Sequence, residues 1–447
     1  MSISSRTRSK LKQIESTTSL LLNLPEEVQD EIFLKLPAKS ILVSRCVCKV
    51  FYNLLSKPRF IKNHVNRTNQ FKINPKILFN HPSPDDKTPM IYSVGIDYAS
   101  FSSPSIECGG AVLLNYPFES ENLYFIDFLG SCNGVICLRI CSPAVRDAHE
   151  RGYPTEATDF FVVFNPLTRE YKEFRKPGHG YDSTYGFGYD SEIDDYKLVT
   201  ISDYVRTGSF EIDVCKVRTD SWSSIQSTAN YIFCDGGKGH GVFFSGALHW
   251  LGRITAQETS SEVCLVCIDI SNEIIVNMPL ADNMDHQRII YANVGVLGDC
   301  ICIAFIWDSV RIDVWVMHDY GVKESWIKKF TAIPTSWPSS VLPFWKPLWC
   351  YDSGEILVDS NRKMLVLYDP TNKKARSAVV HDIKIIACDN VRSVLVLDIG
   401  MDYNREIYVE SIASLNSGTY LEKRIADVIV KIPSDNSQMV RYSQRGF

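Results

Sequence analysis

Several things are missing from this 447-residue chain, and each absence removes a class of function. No run of 18 apolar residues occurs, so no helical membrane span and no membrane partner are expected. The N-terminal stretch MSISSRTRSKLKQIESTTS lacks the apolar core of a secretory signal, and a cytoplasmic or nuclear chain is expected. There is no G-x-S-x-G elbow and no H-E-x-x-H pair, so hydrolase and metalloprotease chemistry have no motif to rest on. The run DGGKGHG, Asp235 to Gly241, has the glycines of a phosphate loop, but Lys238 is followed by Gly rather than Ser or Thr, and a plain connecting loop is the better reading. His249 beside Trp250 ends an apolar run and reads as a structural histidine, not as a general base paired with Asp269. Asn66-Arg67-Thr68 has the form of a glycosylation site, which an intracellular chain leaves unused. The expectation is a protein that is not an enzyme and carries no cofactor and no metal.

What is present is a folded-protein composition with an uneven charge. Apolar residues make up 45%, and the length exceeds one ordinary core, so more than one domain is expected. Residues 1–72 hold 13 Lys/Arg against 5 Asp/Glu, a net of +8, leaving 34 against 47, or −13, for the remainder. Basic charge there is interleaved with apolar residues, which favours an acidic protein partner over nucleic acid. The 14 cysteines read as reduced thiols in an intracellular chain. Cys264-x-x-Cys267 and Cys300-x-Cys302 lie in strand-like apolar runs without the polar turns of a metal knuckle, so they read as small buried hydrophobes rather than zinc ligands.

Residues 24–60 are the most informative stretch. Pro25 suits a helix start, Glu26, Glu27, Asp30 and Glu31 favour its N-terminal half, and Val28, Ile32 and Leu36 fall on one stripe at spacing four. Pro37 stops that helix. A second helix from about Ala38 presents Ile41, Leu42 and Cys46, and a third near Cys48 to Ser56 presents Phe51, Leu54 and Leu55. So short a module cannot bury all of this, which points to a docked partner; the plainer reading is a helical cap on the next domain.

After Phe71 helical periodicity largely disappears, and short strand-like runs alternate with turns. One set of turns falls at Asn133-Gly134, Asp190 to Asp195, Ser245-Gly246, Gly298-Asp299, Ser353-Gly354 and Asp402 to Asn404. A second set follows each, near Asn165, Arg218, Ile270, His318, Asp369 and Asn416, at intervals of 47 to 53 residues. Six units of two hairpins each are expected, the signature of a kelch-like β-propeller, with a two-sheet sandwich or an irregular barrel as alternatives. Trp222, Trp250, Trp315 and Trp326 sit beside these turns and are expected to pack between blades. Trp307, Trp337, Trp345 and Trp349 are less regular, and an interaction role is open for them, as it is for Asp182, Tyr185, Asp203, Tyr204, Arg206 and the polar insertion 142–159.

Leu24-Pro25, Ile32, Leu36-Pro37, Lys39 to Leu42 and Arg45 to Lys49 closely resemble the F-box of plant F-box proteins, departing from the usual pattern at Val43, Ser44 and Phe51. GSCNGVICL (130–138), FVVFNPLTREYKEF (161–174), YGFGYDSEIDDYKLVTI (185–201), GVFFSGALHWLG (241–252), IDVWVMHDYGVKESW (312–326) and GEILVDSNRKMLVLYDP (354–370) resemble the F-box-associated domain of the same proteins, including groups close to S-locus F-box proteins. The resemblance implies an α+β multidomain chain, a small all-α F-box followed by an all-β repeat domain, a six-bladed kelch-like β-propeller. It divides the chain into a disordered basic N-terminus (1–20), the F-box (21–68), a linker with first strands (69–107), the propeller-like domain (108–430) and a tail (431–447). It further implies a non-catalytic substrate receptor of a Skp-cullin-F-box ubiquitin ligase. The adaptor-binding residues would be Leu24, Pro25, Val28, Ile32, Leu36, Pro37, Ile41, Leu42, Cys46, Val47, Cys48, Phe51, Leu54 and Leu55. Candidate target contacts are Tyr185, Tyr204, Arg206, Trp307, Trp337 and Trp345. A glycan- or glycoprotein-binding F-box protein and a pollen-type self-incompatibility factor are the alternatives.

Overall fold

The computed structural model describes residues 21–82, 89–96, 112–114, 125–141, 160–177, 182–204, 209–225, 231–233, 240–254, 262–284, 291–307, 311–333, 344–360, 364–378 and 405–418. The expected N-terminus 1–20 and tail 431–447, with Arg206, Trp337 and the insertion 142–159, lie outside the described residues.

Among the described residues four complete helices come first: α1 (Glu26–Leu34), α2 (Ala38–Arg45), α3 (Lys49–Leu55) and α4 (Pro58–Gln70). Pro25, Pro37 and Pro58 stand at three of their starts, where a fixed φ and a missing N–H cost nothing. Glu26 and Glu27 occupy the first turn of α1, the favourable end of its dipole. The last carbonyl of α3 is met by Arg45, whose Nε and Nη2 both donate to Leu55 O at 3.2 and 2.7 Å. His64 Nε2 donates to Leu36 O at 2.8 Å and ties α4 to the turn after α1. Phe33, Ile41, Phe51, Leu54, Leu55 and Phe60 form the shared core, with the Phe33 and Phe51 rings edge to face at 5.0 Å.

Five antiparallel sheets then follow in chain order, the third with five described strands and the others with four, each a meander running outward from its inner edge. The first is β4 (Phe125–Cys132), β5 (Val135–Cys141), β6 (Phe160–Phe164) and β7 (Tyr171–Phe174). The second is β8 (Asp182–Asp190), β9 (Asp195–Tyr204), β10 (Ser209–Lys216) and β11 (Ser221–Ile225). In the third, β12 (Tyr231–Phe233) and β13 (Val242–Phe244) share the inner edge of β14 (Ala247–Ile254), followed by β15 (Glu262–Asp269) and β16 (Ile274–Pro279). The fourth is β17 (Tyr291–Leu297), β18 (Cys300–Trp307), β19 (Arg311–Met317) and β20 (Trp326–Ala332); the fifth is β21 (Trp345–Cys350), β22 (Ile356–Ser360), β23 (Met364–Asp369) and β24 (Lys374–Ala378).

The sixth sheet departs from the expected sixth repeat of two hairpins. It is assembled from both ends of the domain: β25 (Arg405–Val409) is its inner strand, and β1 (Pro75–Pro82), β2 (Pro89–Gly95) and β3 (Val112–Leu113) complete it. β25 pairs antiparallel with β1, Pro75 opposite Val409 and Phe79 opposite Arg405. The SLNSG turn near Asn416 therefore does not join two strands, as the repeat reading expected. A closed ring of sheets needs one joint made by distant chain segments, and this is that joint. Inner strands meet in the order β4, β8, β13, β17, β21, β25 and back to β4, so the six blades form a closed propeller.

The turn landmarks behave as their chemistry predicts. Asn133-Gly134 (φ 54° and 76°) and Ser245-Gly246 (φ 49° and 80°) both take positive φ at the two central positions of tight hairpins. At Gly134 a Cβ would also come within 2.6 Å of Ser411 Oγ and Val409 O, so the turn is held close against the closing strand. Blades are pinned to one another by buried polar groups as well as by apolar packing. Lys197 of β9 reaches Asp190 at 2.9 Å, Glu273 of the next blade at 2.7 Å and Ile270 O at 2.6 Å. Trp250 fits between the second and third blades because Gly186 and Gly241 have no side chain: a Cβ on either would meet the indole at 2.7 and 2.3 Å. As expected, Trp250, Trp315 and Trp326 are buried, and Trp222 packs on Phe161 and Phe174.

Immediately after β25 the chain turns toward the helices. Ile412 is 1% exposed and sits in the helical core beside Phe33, Ile41 and Phe60. Asn165 Nδ2 donates to Ser411 O and Ala413 O at 3.1 and 2.9 Å, and the buried Glu170 carboxylate accepts from Ser414 Oγ, Leu415 N and Ser417 N, each at 2.8 Å. Val65 of α4 reciprocates by packing into the first blade with Leu129 and Val135. Helices and propeller thus share side chains. Ile412→Ala is expected to cost about 2–4 kcal/mol in chemical denaturation, with helical and sheet signals shifting together; a change below about 0.5 kcal/mol, the size of an inert surface substitution, would contradict this joint.

Candidate functional site

The helical unit carries one candidate surface. Leu24, Val28 and Ile32 are 37%, 40% and 37% exposed and stand four residues apart, on one face of α1 and its entry, while Phe33 turns into the core. Pro25, Pro37, Cys46 and Val47 are also exposed, and Leu36, Leu42 and Cys48 are half-buried. Four of the proposed contact residues are placed differently: Ile41, Phe51, Leu54 and Leu55 are at most 4% exposed and fill the helical core, so they support the surface from beneath. Periodicity marked them as apolar but could not tell an inward stripe from an outward one. Five exposed apolar residues of the described helical unit were not in the expected set: Leu22 (37%), Val43 (62%), Val50 (52%), Tyr52 (57%) and Phe71 (55%). Val43 had been seen as a departure from the family pattern; Val50 and Tyr52 flank the inward Phe51, and that alternation around a buried anchor was the available signal.

The propeller has two unlike faces. Inner strands start on one face and end on the other, where Asn133-Gly134, Ser245-Gly246 and the end of α4 meet. There Asn69 Nδ2 donates to Asn133 Oδ1 at 2.7 Å, and Lys72 Nζ reaches Gly298 O at 2.8 Å and Asp299 at 3.1 Å. This helix-facing side has short turns. On the opposite, far face, the described strands end at wider sequence intervals, the widest between β5 and β6 and between β24 and β25.

The candidate target residues map to the far face, since Tyr185, Tyr204, Trp307 and Trp345 lie near the strand ends that open there. Burial nevertheless removes three of them as direct contacts. Tyr185 is 4% exposed, with its hydroxyl accepting from Arg139 Nη1 at 2.9 Å and His240 edge-on to its ring at 5.6 Å. Trp307 and Trp345 are 7% and 4% exposed; Trp345 packs against Phe330 and Tyr368 between the fourth and fifth blades. A large aromatic at a strand end is worth more in an interblade seam than in water, which is why they turn inward. Trp349 lies at the other end, under Lys72. The stacked, exposed aromatics that a glycan reading requires are not provided by Trp307 or Trp345.

A group that sequence reasoning passed over surrounds the propeller axis at the far face: His240 paired with Asp127 at 3.2 Å, Asp127 with Arg139 at 3.4 Å, and the buried pair Arg405 and Asp359. Lys346 stands opposite Asp359 in the β21–β22 register. Burial pushes the Glu406 carboxyl above its ordinary range, and the charge of Lys346, the Ser131 hydroxyl and the charge of His240 pull part of the way back. These residues come from four blades, so no local motif announces them; His240, Ser131 and Asp359 fell inside marked segments, but none was marked for its charge or polarity. Cysteines show no such focus: Cys267 and Cys302 are buried, with thiols pushed up to about 12, and among the described residues no three His, Cys, Asp or Glu side chains group as a metal site.

Comparison with known proteins agrees with this architecture. Residues 21–63 match the F-box domain, and residues 87–415 match the F-box associated beta propeller domain. The chain belongs to the F-box-associated β-propeller family and carries an F-box ahead of it. It is similar to the F-box protein CPR1 of Arabidopsis thaliana, 29% identical over 422 residues that cover 87% of this chain and 92% of that one. It is also similar to the F-box/kelch-repeat protein At3g23880 of the same plant, 24% identical over 369 residues, covering 81% and 92%. No helix among the described residues is long and apolar enough to cross a membrane.

His249 is structural in the way its sequence context suggested. It is fully buried, its Nδ1 donates to Val242 O at 3.0 Å and its Nε2 accepts from the Tyr320 hydroxyl at 2.8 Å. Burial pushes the imidazole down from 6.5 to about 4. The unfolded chain therefore takes up this proton first on acidification, and stability falls as pH drops through 6.5 toward 4, by about 3 kcal/mol from this group. Denaturant unfolding measured from pH 7 to pH 4 is expected to show that slope in the wild type and to lack it in His249→Gln; an unchanged slope in the variant would place the acid sensitivity elsewhere.

Proposed function

We propose that this chain is a non-catalytic substrate receptor of a Skp-cullin-F-box ubiquitin ligase, acting in the cytoplasm or nucleus. Its F-box docks a Skp-type adaptor, and through it the cullin core, while the propeller holds a target protein for ubiquitin transfer by other subunits and subsequent proteasomal degradation. The observation that carries the reading is the outward stripe Leu24, Val28 and Ile32 on a segment that matches the F-box, left exposed while the same helices bury their own core. Apolar side chains held at i, i+4 and i+8 on a helix suit a hydrophobic partner surface.

The target would approach the far face. The widest sequence intervals between described strands fall at strand ends on that face, and a propeller can vary such intervals without disturbing its blades. The candidates Arg206 and Trp337, outside the described residues, remain proposed contacts, together with Tyr204. With the adaptor at one end and the target at the other, the receptor contributes effective concentration and orientation rather than a reacting group.

The triple variant Leu24→Ala, Val28→Ala, Ile32→Ala is expected to reduce adaptor affinity at least a hundredfold, from buried anchors that typically contribute about 2 kcal/mol each. Its thermal midpoint should stay close to wild type, because none of the three is in the core. Calorimetric titration with the adaptor checks this. Undiminished binding by a folded triple variant would contradict an adaptor-docking function for this surface.

A further inference from the structure

The inner strands of the propeller enclose an axial cavity of about 410 Å³, within the range of small-ligand sites. Asn69 and Lys72, from the end of α4, line its helix-facing end and bind the turns around it. Polar groups concentrate toward the other end, on the side of the far face. Arg405 is 3% exposed and gives Nη1 to Asp359, while its buried Nη2 has no hydrogen-bond partner. His240 gives Nε2 to Asp127, while its buried Nδ1 has none. Glu406, next along the same strand as Arg405, is half-buried and lines the same pocket, as does Lys346.

The charges decide what kind of molecule fits. Arg405 and Asp359 cancel, Arg139 and Asp127 cancel, Lys346 balances Glu406, and Lys72 at the helix-facing end is paired with Asp299. Described charges that balance in this way select neither an anion nor a cation. With the Nε2 proton of His240 given to Asp127, the other ring nitrogen is an acceptor, so the pocket presents one unmet buried donor, Arg405 Nη2, one unmet buried acceptor, His240 Nδ1, and a carboxylate removed from bulk water. A molecule that is neutral overall but carries an acceptor group and a cationic donor answers all three.

We propose that this axial pocket binds a small zwitterion of amino-acid type, its carboxylate received by Arg405 Nη2 and its ammonium by Glu406 and His240 Nδ1. The ligand would sit beneath the face proposed for the target, with the end of α4 forming the floor beneath it.

The test is calorimetric titration of the full chain with the twenty free amino acids, with acetate and methylamine as probes of one pole each. At least one amino acid is expected to saturate at one per chain, and neither single-pole probe should match it. Glu406→Gln should weaken that binding at least tenfold, and so should Arg405→Lys, which keeps a cation for Asp359 but removes the free donor. If Arg405→Lys fails to fold, the half-buried Glu406→Gln carries the comparison. The proposal is overturned if no amino acid saturates, if acetate or methylamine binds as tightly, or if Glu406→Gln binds like wild type. Adaptor affinity measured on the same preparations does not depend on the pocket, so its loss would count against the docking reading and leave this one standing.

Discussion

The pairing of β25 with β1 is the contact on which the rest depends. Five blades form locally, each a meander whose strands are neighbours in sequence. The ring closes only when a strand beginning at Arg405 finds one beginning at Pro75, more than 300 residues away. Such a joint costs loop-closure entropy before it returns any packing. The chain recovers that cost twice over, once through the backbone ladder and again through the segment that follows it. Ile412 enters the helical core, Asn165 and Glu170 hold Ser411 to Ser417 through hydrogen bonds, and Gly134 lies against Val409 and Ser411. Closure of the propeller and seating of the F-box are therefore one event in this structure.

That linkage gives the two proposed binding surfaces a fixed relation. The stripe of Leu24, Val28 and Ile32 belongs to the helical unit, and the far face lies at the other end of the inner strands. A receptor that works by positioning gains from such stiffness, because orientation lost to a hinge is lost as effective concentration. Buried ionic pins such as Lys197 with Asp190 and Glu273, and Arg405 with Asp359, act in the same direction. Removing one member of such a pair leaves a buried charge without its partner, so each pin favours one arrangement of neighbouring blades.

Much of this was legible in the sequence. Proline and acidic residues announced the helices, Asn133-Gly134 and Ser245-Gly246 announced hairpins, and the fifty-residue interval announced blades. The sixth blade was hidden because its strands are split between residues 75–113 and 405–409, and spacing along a chain cannot reveal a pairing across it. A fragment begun near residue 108 would lack β1 and β2, the middle of the closing sheet. Which apolar residues face outward was also beyond periodicity: Phe51 and Val50 are neighbours on one short helix, one 4% and the other 52% exposed. An interaction role was open for the seam tryptophans Trp307 and Trp345 because they fall outside the regular repeat turns, whereas the curvature of the ring brings a neighbouring blade over them. The axial polar group is the extreme case, since four blades each supply part of it.

Native-state hydrogen exchange across low denaturant would test the shared closure most directly. Amides of β1, β25, α3 and α4 are expected to exchange through one opening, with the same free energy and the same denaturant dependence. Helical amides that open several kcal/mol below those of β1 and β25, with a smaller denaturant slope, would show the F-box to be an independent unit and would contradict the account.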